Sequence, residues 1–322
     1  MTIRFVLNIL LVTFPFFALV LCGYAAARRT WLPLAAIPGL NTFVLYFALP
    51  CMLYRFGAGT PIAKLFDASL ITVYSLCALL MVGLTIFLTK KGHTGWNDAA
   101  FGALVAAFPN TGFMGVPLLV ALLGAQAAGP AIVTLVIDLV VTSSLCIALS
   151  RLDGADEHGA ARAARLALKG MLTNPLSWSI TLGALASGLG VVLPGPIMAT
   201  LGLLADAASP VALFTIGAVL ARSQINSTYR TPYMRYVPVA LIKLIVHPLL
   251  VGGVGLAAMA LGVPLERFTL TVIVLVAALP SASNVALLAE RSSADNGRIA
   301  RIILLSTVLA FFSFSAAVAL LT

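Results

Sequence analysis

Two stretches of the chain set a proline beside amides and hydroxyls inside otherwise apolar runs. The first reads Phe108-Pro109-Asn110-Thr111-Gly112-Phe113-Met114-Gly115-Val116-Pro117, and the second Leu279-Pro280-Ser281-Ala282-Ser283-Asn284. Each leading proline lacks an N–H and clashes with the carbonyl four residues back, at Val105 and Val276. A helix broken in this way inside a bilayer survives only where protein or a water-filled cavity surrounds it. The break also creates a half-helix N-terminus, whose free N–H groups and positive dipole end suit an anion. Asn110, Thr111, Ser281, Ser283 and Asn284 add neutral donors and acceptors, and Gly112 stands with them. The plain structural alternative is a pair of proline kinks with hydroxyls bonded back to their own helices. Two breaks at matching places, each with an asparagine close by, favour a binding site for a small anion.

Charges within apolar runs are costly in lipid and mark function by default. Five ionisable residues stand in such runs: Asp138, Lys243, His247, Asp206 and Arg55. Asp138 is the candidate for proton coupling, because it sits midway along its run. Lys243 and His247 are four apart and share a helix face. Lys243 could pair with Asp138 or Asp206 to hold helices together, or touch the anion directly. His247 precedes Pro248, and donation to a backbone carbonyl is its bland role. Arg55 could snorkel to the outer surface.

Several chemistries are excluded. There is no H-E-x-x-H metal site, no P-loop and no nucleophile with an adjacent base. Cys22, Cys51, Cys77 and Cys146 form no CxxC, so neither a disulfide framework nor a zinc site is expected. The chain of 322 residues is 61% hydrophobic and only 9% charged. A soluble globule could not cover its surface with so few polar residues. A cytosolic enzyme, a disordered protein and a nucleic-acid binder are all ruled out. The formal charge of +9 is what basic cytoplasmic loops would leave.

The elements that must position these residues are membrane helices. Apolar runs of about 20 residues fall at 5–26, 38–57, 65–89, 98–124, 128–150, 171–193, 197–221, 236–261, 266–290 and 300–321. They predict an all-α integral membrane protein with ten spans, of which the fourth and ninth carry the breaks. Arg4 and Ala25-Ala26-Ala27 resemble a cleaved leader, but the run is long and Arg28-Arg29 follows, so cleavage is not expected. Motifs recur in order. Pro15 and Gly23 match Pro175 and Gly183, and Pro50 with Gly57-Ala58 matches Pro210 with Gly217-Ala218, at one offset of 160 residues. Ala106-Ala107-Phe108-Pro109 matches Ala277-Ala278-Leu279-Pro280 at 171. At these offsets Arg55 faces Thr215 and Lys243 faces Thr72, so no charge has a charged equivalent. Residues 1–150 and 171–322 form two five-span repeats, joined by a cytoplasmic linker at 151–170. Five is odd, so the second repeat is inverted, which is a pointer to a secondary transporter.

With these motifs in hand, the chain resembles a bacterial member of the auxin efflux carrier family, within the bile, arsenite and riboflavin transporter superfamily. Asn110–Pro117, Pro210–Gly217 and Lys243-Leu-Ile-Val-His-Pro248 are the most specific pieces. The resemblance implies two inverted repeats of five helices, with spans four and nine crossing and an organic anion bound at the crossing. It implies access alternating by an elevator-like shift, and malonate-like or auxin-like carboxylates as substrates. Coupling to protons or sodium and a homodimer belong to the same expectation; no cofactor does. The rivals are a sodium-coupled bile-acid-type carrier and a transporter-like membrane sensor.

Loop charge sets the orientation. Arg28, Arg29, Lys90, Lys91, Arg151, Arg162, Arg165, Lys169, Arg222, Arg230, Arg235, Arg291, Arg298 and Arg301 fall on one side, against Arg4, Arg55, Lys64 and Arg267 on the other. The richer side should be cytoplasmic, with both termini outside the inner membrane. In a variant lacking the four native cysteines, single cysteines at Ala160 and Thr322 should label from opposite sides with an impermeant thiol reagent. Labelling from one side would contradict five spans in the second half.

Overall fold

The computed structural model describes residues 3–60, 67–90, 94–152, 175–226 and 231–322. The linker expected at 151–170 lies outside the described residues from Asp153 onward, as do Lys64, Lys91, Arg162, Arg165, Lys169 and Arg230. The described residues form helices, in chain order α1 (Ile3–Arg28), α2 (Leu34–Gly59), α3 (Ala68–Thr89), α4 (Trp96–Ala107), α5 (Thr111–Leu123) and α6 (Ala125–Leu149). There follow α7 (Pro175–Leu189), α8 (Gly195–Asn226), α9 (Val237–Ala260), α10 (Arg267–Ala278), α11 (Asn284–Arg291) and α12 (Asn296–Leu321). Seven of them, α1, α2, α3, α6, α8, α9 and α12, are long and apolar enough to cross a bilayer. Large apolar side chains such as Phe14, Leu21, Phe47, Phe87, Leu203, Leu249 and Phe312 are exposed on these helices. Water would not tolerate so much exposed apolar surface, whereas lipid matches it. This is a multi-pass membrane protein.

The expected fourth span is two helices, α4 and α5, and the expected ninth is α10 and α11. The breaks fall where proline stereochemistry puts them. The residue before a proline is pushed out of the helical region. Phe108 has φ −102°, ψ 101°, and Leu279 has φ −63°, ψ 157°, so the helices end at Ala107 and Ala278, two residues before their prolines. Pro15 and Pro210, by contrast, lie inside unbroken helices.

Other prolines are accommodated by widened turns. The segments Val44–Ala48, Thr111–Gly115 and Ile242–Val246 have five-residue (π) hydrogen bonding, and each ends two residues before a proline: Pro50, Pro117 and Pro248. A wide turn makes room for the pyrrolidine ring. A fourth, Asp138–Thr142, precedes no proline. There Ser143 Oγ donates to Asp138 O at 2.8 Å. Such insertions in helices occur often at functional positions. Both Asp138 and Lys243 stand in one.

The chain divides into two compact units, each drawing on both halves of the sequence. The first comprises 1–67, 112–133 and 172–226. In it α1 packs on α8 and α2 on α7, through glycines that leave no room for a Cβ. Gly23 meets Phe214 O, and Gly183 meets Tyr54 O. Gly217 meets Val20 O and Tyr24 N, and Gly57 meets Ile180 O and Ala184 N. Every partner in one contact is 160 residues from its counterpart in the other. The second unit comprises 68–111, 134–171 and 227–322. In it α4 is buried continuously from Ala99 to Ala107, and α10 from Val272 to Ala278. Their broken ends are therefore enclosed in protein, as a bilayer requires.

Gly217→Ala and Gly23→Ala should each lower detergent melting temperatures, by a cost of about 1–3 kcal/mol for overpacking. Gly39→Ala is the control, since nothing lies within 4 Å of the added Cβ; it should be neutral or gain about 0.5–1 kcal/mol.

Candidate functional site

The two breaks meet within the second unit. Residues 108–110 separate α4 from α5, and residues 279–283 separate α10 from α11. Asn110 N donates to Pro280 O at 2.8 Å, and Ala282 N donates to Phe108 O at 2.9 Å. Pro109 and Ser281 thus form an isolated antiparallel bridge. Each break supplies the donor that the other lacks. The helix ends Ala107 and Ala278 keep the sequence offset of 171, but the two bonds exchange at 172 and the following helices start at 173. The second break is the longer. Asn110 therefore lies inside its break, while Asn284 opens the helix after its own.

The hydrogen bonding narrows what the crossing offers a ligand. The N–H groups of Asn110 and Thr111 are taken, the latter by Pro109 O at 2.8 Å. Ser281 N donates to Ser306 Oγ at 3.2 Å. Leu279 N donates to Val276 O at 3.1 Å, which gives that displaced carbonyl the partner it needed. The side chains remain. Thr111 and Ser281 are 0% and 1% exposed, yet Thr111 Oγ1 and Ser281 Oγ have no partner among the described residues. Asn284 Oδ1 is buried and equally unpartnered. Buried polar atoms are nearly always paired, and leaving one unpaired costs about 1–3 kcal/mol. Three such atoms stand on the two breaks or at the first residue of the helices that follow them. Asn110 is 4% exposed, Ser283 is half-buried, and Gly112 is the second residue of α5.

Asp138 and Lys243 form no ion pair within 4 Å. Asp138 is fully buried, and its carboxylate accepts from Tyr74 Oη at 3.1 Å and Thr142 Oγ1 at 3.0 Å. Lys243 is fully buried too. Its Nζ donates to Ala277 O of α10 at 2.7 Å and lies 3.0 Å from His247 Nδ1. The four-residue spacing therefore does bring Lys243 and His247 together. With the ammonium donating, Nδ1 accepts and the imidazole proton sits on Nε2. Donation from His247 to a backbone carbonyl, the expected bland role, gives way to this contact. Ion pairing of Lys243 with Asp138 or Asp206 is also corrected, because the one ion pair among the described residues joins Arg55 Nη1 to Asp206 Oδ1 at 2.7 Å. Arg55 does not snorkel alone; both partners are partly exposed, 37% and 69%. Thr142 was legible as the residue four beyond Asp138. Tyr74, which is far away in sequence, gave no signal.

Residues 9–318 match the family described as membrane transport protein. The chain belongs to that family. It is 29% identical over 301 residues to a Rhizobium meliloti (strain 1021) protein named "Putative malonate transporter", covering 92% of this chain and 90% of the relative. It is 28% identical over 287 residues to the Escherichia coli (strain K12) transporter YfdV, 86% of each chain. Auxin efflux carrier component 4 of Arabidopsis thaliana is 30% identical over 119 residues, 36% of this chain and 19% of that one. The protein is a transporter and not an enzyme, and the resemblance to auxin efflux carriers holds.

Within this transporter the Asp138 cluster is open to a direct check. Tyr74→Phe removes one hydroxyl from a buried carboxylate and should destabilise by about 1–3 kcal/mol in thermal melts. In the Asp138→Asn background the same substitution should cost clearly less; equal costs would mean the pair is not coupled.

Proposed function

We propose that the transporter carries small organic anions, malonate-like carboxylates foremost, and binds their carboxylate at the crossing of α4–α5 with α10–α11. The observation that carries this reading is the pair of unpartnered buried hydroxyls, Thr111 Oγ1 and Ser281 Oγ, one on each break beside a half-helix start; the Asn284 amide would donate through its NH2 with the group turned so that Nδ2 faces the anion. Hydroxyls and amides can donate to a carboxylate, and a helix N-terminus favours its charge. Neutral donors also allow release, where a charged group in direct contact would bind too tightly for turnover. The name of the malonate-linked relative, matched over 92% of this chain, supports the substrate class.

The architecture proposed with it is ten spans in two inverted repeats. The glycine contacts exchanged at an offset of 160 support the repeat in the first unit, and the reciprocal bonds at the crossing support it in the second. Elevator-type alternating access would move the unit that holds the crossing. Orientation follows loop charge, with both termini outside the bacterial inner membrane. Asp138, held by two hydroxyls and with no cation within 4 Å among the described residues, is the proton carrier of this proposal.

Asn110→Ala should weaken malonate binding by about ten- to a hundred-fold, the worth of one charge-assisted hydrogen bond. Titration of purified, monodisperse protein measures this. Wild-type affinity in Asn110→Ala would refute the site, and the same titration of Asn284→Ala shows whether the second break contributes.

A further inference from the structure

Half-helix ends of both signs meet at the crossing. The starts of α5 and α11 are positive, while the ends of α4 and α10 carry unpaired carbonyls and a negative partial charge of about half an elementary charge each. In discontinuous membrane helices such carbonyl ends are where an inorganic cation binds. Here the end of α10 is already occupied. Lys243 Nζ donates to Ala277 O at 2.7 Å, three residues before Pro280. The lysine reaches it from the wide turn Ile242–Val246 of α9 and is fully buried.

We infer that Lys243 is a built-in counter-cation at the broken end of α10, which makes anion binding at the crossing independent of sodium and favours dianions over monoanions. The inference rests on the carboxylate reading above. A buried ammonium is costly unless opposed by negative charge. Lys243 has no carboxylate within 4 Å among the described residues, and its Nζ contacts are a carbonyl and a neutral imidazole nitrogen. Asp138, the unit's buried carboxylate, is engaged by Tyr74 and Thr142 and acts on Lys243 only at longer range. The helix end supplies about half of a compensating charge. A carboxylate at the crossing supplies the rest, and a second carboxylate strengthens it. Lys243 is thus a positioning and charge-setting residue, acting on the ligand through α10 and through space.

The test uses the full chain in detergent with malonate and acetate as probes, at constant ionic strength in sodium or choline chloride. Wild-type malonate affinity should be the same in both salts. Lys243→Met should weaken malonate by about ten-fold or more and acetate by much less, so that the preference for the dianion collapses. Lys243→Arg, which keeps the charge, should retain most of that preference. A merely structural lysine would weaken both probes alike. Sodium strengthening malonate binding ten-fold, or an unchanged preference in folded Lys243→Met, would overturn the inference. Should Lys243→Met fail to fold, loss of the preference in folded Lys243→Arg would overturn it as well. Wild-type protein that binds neither probe would sink the carboxylate reading instead. Melting in the two salts then still decides the cation question, and stabilisation by sodium over choline counts against Lys243.

Discussion

Two backbone hydrogen bonds hold the working part of this molecule together. Pro109 and Pro280 each end a helix in the middle of an apolar run, and a bilayer offers no water to satisfy what they leave behind. The solution is mutual. Asn110 N–H reaches Pro280 O, and Ala282 N–H reaches Phe108 O. Each break thus satisfies a carbonyl of the other, and the two breaks meet at their prolines. Burial of α4 and α10 on all sides follows from the same need.

The crossing explains why the polar side chains around it are few and neutral. Backbone groups at the breaks are largely spent on each other, on Ser306 and on local turns. What stays open is a small set of side-chain atoms from Thr111, Ser281 and Asn284. Neither Asp138 nor Lys243 bonds to those atoms, although Lys243 reaches the end of α10 at Ala277 O. Asp138 and Lys243 each lie in a widened helical turn, where an extra residue re-aims the side chain inward. Asp138 and Lys243 form no ion pair within 4 Å, and a buried pair can cost more in desolvation than it returns.

Much of this was legible in the sequence, and what was not has physical reasons. Proline stereochemistry located both breaks to the residue. Spacing of four placed His247 beside Lys243. The matched glycines Gly23 with Gly183 and Gly57 with Gly217 turned out to be the close-approach points of helices, since only glycine admits a backbone that near. The length of the second break was not legible: the register slides from 171 to 173 across it, which sets Asn284 at the start of α11 while Asn110 lies inside its break. Long-range partners were invisible. Nothing in a sequence ties Tyr74 to Asp138, Asp206 to Arg55, or Lys243 to the Ala277 carbonyl, because each pairing depends on packing between distant segments.

The central claim is that a carboxylate binds where the broken helices cross. Cryo-electron microscopy of the transporter in nanodiscs, with and without saturating malonate, addresses it most directly. The account predicts added density within hydrogen-bonding distance of Thr111 Oγ1, Ser281 Oγ and the Asn284 carboxamide. Malonate density elsewhere, with those three groups unchanged, would contradict it.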